Sequence, residues 1–360
     1  MQDLISTQAN IKYAIDKIRE HKDQIAIIVV ANIKAINSQT TKHSLTTEFF
    51  AERECEDIIS GFRTNGFYVE LHKNEMDFIK WVTDGGIKHI NKKFVAVYSA
   101  ANSGKGPGKK ALIPSFCNLN GIPITGSNPY VVGLCRHKYH YNAVLNYSGL
   151  PTPLSWYYHK DYEWLMNTSP PDGMLVIAKP TYESASVGVD EDSVFEYVGS
   201  MRERIHEMSV HFNQPITVQE FIPGYEVEVP LLIQDGIPLA IEPIGLKVDE
   251  VELLGRRVLT YDVVHDDQYK FYHFDKFDIE HTKRLLKCAE NAATILGTEG
   301  FGRIDFRIKS NGEFCIMDAS TYPHIIKHSS FWFLFNSLGY SYHDMFALLT
   351  AITGKKYNWI

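Results

Sequence analysis

The stretch that decides the fold lies at residues 302–320, which read GRIDFRIKSNGEFCIMDAS. Apolar residues alternate on both sides of the turn-forming segment 309–313, and this pattern predicts a β-hairpin. On adjacent antiparallel strands, Asp305 and Asp318 could face each other across one ladder and hold a hard cation such as Mg²⁺ between them. Taken alone, the pair favours a simpler interpretation, namely an acid on each arm of a surface hairpin.

Two further segments favour a nucleotide site over a surface hairpin. A hydrophobic run at residues 174–178 ends at Lys179, which precedes Pro180 and a loop of small residues at 181–188, TYESASVG. The predicted strand thus ends at a lysine that lies directly before a loop, and the backbone N–H groups of this loop can fold over phosphates. Residues 217–229, TVQEFIPGYEVEV, predict a strand, a Pro-Gly turn and a second strand, and one edge of this hinge could hydrogen-bond an adenine.

In this order the three segments resemble the ATP-grasp superfamily and, within it, the D-alanine–D-alanine ligase family. That family combines Lys-Pro and a Ser-Val-Gly loop with a hinge ending in Gly-x-Glu, followed by Arg-x-Asp, an acid-x-Asn pair, Pro-Gly and His-Ser. The closing part is represented here by Arg303, Asp305, residues 318–320, Pro323-His324 and His328-Ser329. The likeness extends upstream and covers roughly residues 120 to 330, with matches at residues 122–127 (IPITGS), Lys138 and residues 149–153 (GLPTP).

The resemblance implies an α/β chain with a three-domain ATP-grasp fold. Residues 1–127 are expected to form an N-terminal parallel α/β domain on the substrate side, residues 128–217 a small central α+β domain, and residues 218–360 a C-terminal, catalytic α+β domain with an antiparallel sheet. The alternation of strand and helix patterns in the first hundred residues also predicts a parallel sheet. Further predictions are a strand at Ile122, a helix over residues 193–209 and, because no clear period is visible there, a long loop over residues 245–276 that could cover a site.

The resemblance also implies a reaction. In such a ligase, ATP phosphorylates a carboxylate, an amine attacks the acyl-phosphate, and ADP and phosphate leave, so the protein mainly positions groups and neutralises charge. The two lysines would contact the nucleotide phosphates, Glu226 the ribose, and the backbone of the hinge the adenine. The implied nucleotide-binding residues are Lys138, Lys179, Ser184, Gln219, Glu220, Phe221, Ile222 and Glu226.

The metal and the catalytic step are assigned by the same resemblance. Asp305 and Asp318 are the implied ligands of Mg²⁺ or Mn²⁺, together with Ser320, which stands where the family usually has Asn. The implied catalytic residues are Arg303 and Ser186, and Arg303 could stabilise the acyl-phosphate or a tetrahedral oxyanion. The alternative for Arg303 is a salt bridge to Asp305.

Several positions bear on the substrate. Ala185 replaces a serine that the family uses to organise the first D-alanine site, and His324 replaces the glycine of Pro-Gly. Ser329 matches the position that holds the carboxylate of the amine-donating substrate, although a serine there is also a simple helix N-cap.

Two more departures lie in the N-terminal third of the chain. Residues 37–50 lack the family's Gly-Gly-x-Ser-x-Glu opening, with Glu48 as the only nearby acid, and Lys109-Lys110 stand where the family has Glu-Asp-Gly. We therefore expect a carboxylate–amine ligase in a biosynthetic pathway other than cell-wall assembly. D-alanine alone should not be its preferred substrate, and a larger or differently charged carboxylate should be. The alternatives are a D-alanine–D-alanine ligase and a module that binds ATP without turnover.

Composition limits the partners of the chain. The net charge of its 360 residues is −7, so no general attraction to nucleic acid or to an anionic membrane is expected. Its five cysteines are scattered without Cys-x-x-Cys spacing, which indicates reduced thiols and a cytoplasmic protein. No apolar run is long enough to span a bilayer. The expected partners are small-molecule carboxylate and amine substrates, and a homodimer built on the N-terminal domain would be ordinary.

Overall fold

The structure is a computed structural model of the chain and describes residues 2–34 and 48–360. Within these residues the N-terminal sheet has parallel strands in the order β2-β1-β3, namely β1 (Ile25–Ala31), β2 (Tyr68–His72) and β3 (Phe94–Ala100). Every residue of β1 is buried, as expected for a central parallel strand with both faces covered. The predicted parallel sheet is confirmed.

The predicted strand at Ile122 is wrong. In the described part of the chain this region makes a single bridge, in which Val97 pairs in parallel with Ile124. Between Ile122 and Ile124 lies Pro123, whose carbonyl accepts from the N–H of Val97 at 2.8 Å. Because proline has no N–H to donate, a ladder cannot continue through this residue.

The central sheet is antiparallel, with strands in the order β5-β4-β8-β6-β7. The strands are β4 (Ser155–His159), β5 (Glu163–Trp164), β6 (Leu175–Pro180), β7 (Val194–Glu196) and β8 (Ile216–Glu220). The predicted helix over residues 193–209 is wrong in its first half, because Val194 and Phe195 pair with β6 and the helix there spans Arg202–Phe212. β-Branched and aromatic residues favour strands over helices.

The C-terminal sheet is also antiparallel and follows the order β12-β11-β9-β13-β14, with β10 beside β9. The strands are β9 (Tyr225–Gln234), β10 (Ile237–Ala240), β11 (Ile244–Val248), β12 (Tyr269–His273), β13 (Gly300–Ile308) and β14 (Phe314–Ser320). The predicted hairpin at residues 302–320 is confirmed by β13 and β14. The long loop predicted over residues 245–276 is wrong, since β11 and β12 pair there. Lys247 lies opposite Lys270 in that pair, and these charged residues, the latter on the edge strand β12, concealed the apolar period.

The described residues contain twelve α-helices, and none of them is both long and apolar enough to cross a membrane. They are α1 (Gln2–Arg19), α2 (Glu52–Arg63), α3 (Glu75–Thr83), α4 (Gly86–His89), α5 (Leu112–Leu119), α6 (Pro129–Arg136), α7 (Lys138–Tyr147), α8 (Arg202–Phe212), α9 (Tyr261–His265), α10 (Ile279–Leu296), α11 (Ser330–Ser337) and α12 (Tyr342–Lys356).

The last helix, α12, shares its core with the N-terminal sheet. Its Phe346 ring contacts Phe62 of α2, with ring centroids 4.8 Å apart. A Cβ atom at Gly61 would lie 2.3 Å from the Phe346 ring, so this close approach requires a glycine. Arg19 of α1 also binds Asp344 of α12, with Nη2 and Oδ1 at 2.6 Å.

Sheet membership changes between β8 and β9. Strand β8 pairs within the central sheet and β9 within the C-terminal sheet, so the chain crosses from one sheet to the other between Glu220 and Tyr225. The boundary predicted at residue 217 therefore cuts β8. The domain limits remain predictions.

Candidate active site

Three acidic residues lie side by side on adjacent strands of the C-terminal sheet. Asp305 on β13 pairs directly with Asp318 on β14 and with Glu228 on β9. Directly opposed residues of an antiparallel ladder point to the same face of the sheet, and all three acids line one cavity of about 280 Å³. The predicted opposition of Asp305 and Asp318 is confirmed. The sequence did not single out Glu228, although its alternation with Glu226 on an otherwise apolar strand was a usable signal.

Arg303 binds two of these acids from the same face of β13. Its Nε and Nη2 donate to Oδ1 and Oδ2 of Asp305, each at 2.7 Å, and its Nη1 lies 3.0 Å from Oε1 of Glu228. The structure thus contains the salt bridge that was the alternative role for Arg303. Burial raises the pKa of Asp305 to about 7, although the guanidinium opposes this shift.

Asp318 interacts with both predicted phosphate lysines. Burial by itself would raise the pKa of Asp318, but Lys138 and Lys179 hold it below its ordinary value, and the Tyr141 hydroxyl donates to Oδ1 at 2.8 Å. Burial lowers the pKa of Lys138 to about 8 and also lowers the pKa of Lys179, with Asp318 opposing both shifts. Lys138, Lys179 and Asp318 line the same cavity, so lysines and acids meet in one place.

The oxygen donors in this cavity fit Mg²⁺ or Mn²⁺. Ser320 lies opposite Arg303 in the β13–β14 ladder and lines the cavity beside Asp305 and Asp318. Within residues 2–34 and 48–360, no three His, Cys, Asp or Glu side chains are grouped to hold a metal ion by themselves. A divalent ion would therefore be held by one or two acids together with nucleotide phosphate oxygens, which is the usual way in which proteins bind Mg²⁺.

The loop of small residues after β6 turns along the cavity. Ala185 and Ser186 have φ angles of 51° and 54°, and Gly188 has a φ of 75°. A Cβ atom at Gly188 would lie 2.6 Å from a neighbouring aromatic ring, so only glycine fits this turn. Ser184, Ala185 and Ser186 line the cavity, while the Ser186 hydroxyl donates to the carbonyl of Leu259 at 2.6 Å.

The predicted adenine hinge lines the cavity only in part. Of its residues, Phe221 lines the cavity, and Gln219, Glu220 and Ile222 are not among the lining residues. The N–H groups of Glu220 and Phe221 donate to carbonyls of the central domain, and the buried Gln219 side chain donates to a serine hydroxyl at 3.1 Å. Because β8 is an interior strand, most of its polar backbone groups are already paired, and the adenine contact stays a prediction.

Glu226, the predicted ribose acid, lines the cavity and is held by Arg307. The two are joined at 2.9 Å between Oε2 and Nη1, and the buried guanidinium also lies 4.7 Å from the ring centroid of Phe221. Burial raises the pKa of Glu226, and Arg307 opposes this shift. Arg307 was not identified from the sequence, although it follows Arg303 and Asp305 at alternate positions of one strand.

Glu48 is the centre of a buried polar network at the N-terminal side of the cavity. Its Oε1 accepts from Nη2 of Arg136 at 2.5 Å, from the N–H of Ser184 at 2.7 Å and from the Ser184 hydroxyl at 2.8 Å. Its Oε2 accepts from the side-chain amide of Asn102 and lies 3.7 Å from Nζ of Lys110. Burial by itself would raise the pKa of Glu48, but the surrounding cations hold it well below its ordinary value. Of the departing segment 37–50, residues 37–47 lie outside the described residues.

Lys109 extends this network to the loop after β6. Its Nζ donates to Oε2 of Glu183 at 2.7 Å, and the two side chains are only 2% and 4% exposed. Gln214 donates to the other oxygen of Glu183 at 2.9 Å, and Arg136 lies 3.6 Å from this carboxylate. Lys109 thus attaches the 181–188 loop to the segment that precedes α5.

His324 reaches the cavity and Ser329 does not. The His324 ring stacks on Phe50 with centroids 4.9 Å apart, and burial lowers its pKa to about 4, so it is neutral at pH 7. His324 also lines a small adjoining pocket of about 20 Å³. Ser329 accepts from the N–H of Trp332 at 3.2 Å and donates to the carbonyl of Ile326 at 2.6 Å. It is therefore the N-cap of α11, the alternative that the sequence left open.

Comparison with known proteins supports the implied family. Residues 145–351 match the family described as D-ala D-ala ligase C-terminus. A D-alanine–D-alanine ligase of Bordetella pertussis is 27% identical over 254 residues, which cover 68% of this chain and 74% of the relative. One from a Marinomonas species is 25% identical over 308 residues, covering 81% of this chain and 90% of the relative.

Two solved structures share the fold. A D-alanine–D-alanine ligase from Bacillus anthracis complexed with ATP superposes with a TM-score of 0.67 at 17% identity, covering 93% of this chain and 99% of the other. VanG, a D-Ala:D-Ser ligase from Enterococcus faecalis, gives a TM-score of 0.64 at 18% identity, covering 92% and 99%. These similarities confirm the predicted ATP-grasp fold.

Proposed function

Because the chain belongs to the D-alanine–D-alanine ligase family of ATP-dependent, ADP-forming ligases, we propose that it activates a carboxylate as an acyl-phosphate and joins it to the amine of an amino-acid-like substrate. One observation carries the proposal: the Glu228–Asp305–Asp318 row shares a single cavity with Lys138 and Lys179. Acids suited to a divalent cation beside lysines suited to phosphates form the charge pattern that a nucleoside triphosphate requires.

The phosphates of ATP are assigned to the space between the 181–188 loop and the two lysines. Burial disfavours the charged form of Lys138 and Lys179, so an incoming polyphosphate would restore their full charge and bind them strongly. The loop backbone would donate to the β- and γ-phosphates. A bound Mg²⁺ or Mn²⁺ supplies further neutralisation of the phosphoryl charge, and Asp305, Asp318 and Ser320 are the side chains that would hold it.

The nucleoside is assigned to the apolar side of the cavity. Phe221 lies there with Ile177 and Val258, and these side chains offer a flat, dry wall for an adenine. Glu226 is held in place by Arg307, so its free carboxylate oxygen could accept from the ribose hydroxyls without losing side-chain entropy on binding.

The chemical step needs little covalent participation from the protein. A substrate carboxylate oxygen attacks the γ-phosphorus and ADP leaves, after which the amine attacks the acyl carbon, loses a proton and expels phosphate. Arg303 would stabilise the negative charge that develops on the acyl group. Its bonds to Asp305 and Glu228 fix the guanidinium beside the metal-binding acids, so the salt bridge and the catalytic role are compatible.

The similarities to known proteins bear on the choice of substrates. The relatives named above are D-alanine–D-alanine ligases. This favours D-alanine as both substrates, and a role in cell-wall assembly over a role in another pathway. A second candidate has the same chemistry but a carboxylate substrate with additional negative charge. The observation in its favour is that Glu48 already accepts from three residues, while Lys110 extends to the cavity.

The function is tested by ADP release from the purified protein with ATP, Mg²⁺ and a panel of amino acids and other carboxylates. We expect release that requires both a carboxylate and an amine, and a ligated product of matching mass. Omission of either substrate or of Mg²⁺ is the control. ATP binding without phosphate release under every condition would instead establish the module that holds ATP without turnover.

A further inference from the structure

Lys110 lies where the main cavity meets the small pocket of about 20 Å³ beside Glu48 and Asn102. Its side chain is 18% exposed, and within the described residues its ion-pair partner is Oε2 of Glu48 at 3.7 Å. That separation is longer than a hydrogen bond, so this ion pair does not use an N–H donor of the ammonium. Lys110 is thus a partly buried cation at the wall of the substrate side of the cavity.

Glu48 has little capacity for another donor. Three hydrogen bonds reach Oε1, from Arg136 and from the backbone and hydroxyl of Ser184, and the amide of Asn102 reaches Oε2. A carboxylate offers about four lone-pair sites in all. A substrate ammonium group approaching Glu48 would have to displace one of these donors and pass the Lys110 ammonium.

Among the described residues, the ion pairs of this region leave one cation over, although Asp318 also attracts Lys110 without forming an ion pair with it. Three cations, Lys109, Lys110 and Arg136, face two acids, Glu48 and Glu183. Lys109 and Arg136 each make a close ion pair at 2.7 Å or less, which leaves Lys110 as the surplus cation. The nearby His324 is neutral at pH 7 and adds no charge. An anionic group at Lys110 would therefore gain a charge-assisted hydrogen bond and complete the local balance.

We propose, on the premise of the ligase function above, that Lys110 binds a second carboxylate on the substrate whose first carboxylate is activated by ATP. The substrate class is a small dicarboxylic acid, including acidic amino acids, and the amine-donating substrate can remain a neutral amino acid. Ala185 fits this assignment, because a methyl group there leaves room beside the loop and adds no competing hydrogen-bond donor or acceptor.

The test compares isosteric substrates that differ in one charge. Succinate and succinamate are supplied in turn as the carboxylate substrate with D-alanine as the amine, and kcat/KM is measured for each. We expect a preference for the acid of about 10- to 100-fold, the size of a charge-assisted hydrogen bond. Lys110→Met should reduce the ratio to near one and Lys110→Arg should retain most of it. Lys105→Met, at an exposed lysine of the same segment, is the control and should leave the ratio unchanged.

The outcomes separate this inference from the ligase function. If the wild-type protein makes the ligated product but uses the amide as well as the acid, or prefers D-alanine, the role of Lys110 is overturned and the ligase remains. If Lys110→Met lowers turnover of both substrates equally, Lys110 acts on a group that they share, such as the phosphate, and the inference is wrong. If no carboxylate supports ADP release, the ligase function itself fails.

A measurement on the wild-type protein covers the case in which Lys110→Met does not fold. The preference for succinate over succinamate should decline as the pH is raised from 7 to 9.5, because burial lowers the pKa of Lys110 to about 8 and the ammonium loses its proton in this range. A preference that stays constant over this range would also overturn the inference.

Discussion

Asp305 and Asp318 occupy directly opposed positions on adjacent antiparallel strands, yet they face different cations. Asp305 is bound in a two-point fork by Arg303, whereas Asp318 interacts with Lys138 and Lys179. Burial raises the pKa of Asp305 to about 7, while the lysines keep the pKa of Asp318 below its ordinary value. The two acids therefore lie between Arg303 on one side of the cavity and the two lysines on the other. A triphosphate with a bound metal ion would contact both sides.

The first prediction concerns the contact between Lys179 and the phosphates of ATP. Lys179→Met should lower kcat/KM for ATP by about 100-fold or more, since it removes a preorganised charge from the phosphoryl site. The fold should be retained, because methionine keeps the apolar stem of the side chain. The check is steady-state ADP formation, alongside thermal unfolding of the variant. Lys287→Met, at a lysine that is 68% exposed, is the matched control. Near-normal turnover by Lys179→Met would exclude this lysine from the site.

The second prediction concerns the metal. Asp305→Asn and Asp318→Asn should each raise the Mg²⁺ concentration for half-maximal turnover by about tenfold or more, since each removes a charged oxygen ligand. The affinity for Mn²⁺, measured by titration in the presence of a non-hydrolysable ATP analogue, gives a readout independent of activity. Asp249→Asn, at an aspartate that is 82% exposed, serves as control. Unaltered metal requirements in both variants would show that the acids have another role.

The third prediction is a pH dependence. Burial lowers the pKa of Lys138 from 10.5 to about 8, so the free enzyme loses this charge as the pH rises through about 8. Phosphate binding favours the charged lysine and raises its pKa. Accordingly, kcat/KM for ATP should fall above pH 8 and kcat should fall only at higher pH. Lys138→Arg should move the fall of kcat/KM upward, because arginine does not deprotonate in this range. Superimposable profiles for the two proteins would contradict the assignment.

Local patterns were sufficient to predict the hairpin and its two acids. Alternating apolar residues around a turn determine which side chains share a face, and that placed Asp305 opposite Asp318. Glu48 and Arg136 could not be found in this way. Their bond joins residues 88 positions apart, and the bond from Glu48 to Ser184 spans 136 positions, so both depend on the packing of separate segments.

The errors have a similar origin. The helix predicted over residues 193–209 missed the pairing of Val194 and Phe195 with β6, which joins segments that lie apart in the sequence. The strands in the 245–276 segment escape prediction because Lys247 and Lys270, which lie opposite each other on β11 and β12, conceal the strand period. The hydroxyl of Ser329 caps α11 in the structure, and its role towards a substrate stays a prediction.

The fourth prediction concerns the fold. Gly61→Ala should destabilise the protein by roughly 1–3 kcal/mol, because its Cβ would collide with the Phe346 ring that joins α12 to α2. Denaturant unfolding measures the change. The control is Gly133→Ala in α6, where a Cβ atom would meet nothing within 4 Å and helix propensity favours alanine. Equal stability of the two variants would refute the proposed packing of α12.

The central claim, that ATP activates a carboxylate, is tested most directly by isotope transfer. The carboxylate substrate that supports the fastest ADP release is labelled with ¹⁸O in its reacting carboxyl group, and the released phosphate is analysed by mass spectrometry. An acyl-phosphate requires that the attacking carboxylate oxygen leave with the phosphorus. We predict one ¹⁸O atom in each phosphate formed with ligated product. Unlabelled phosphate released together with the ligated product would contradict the account.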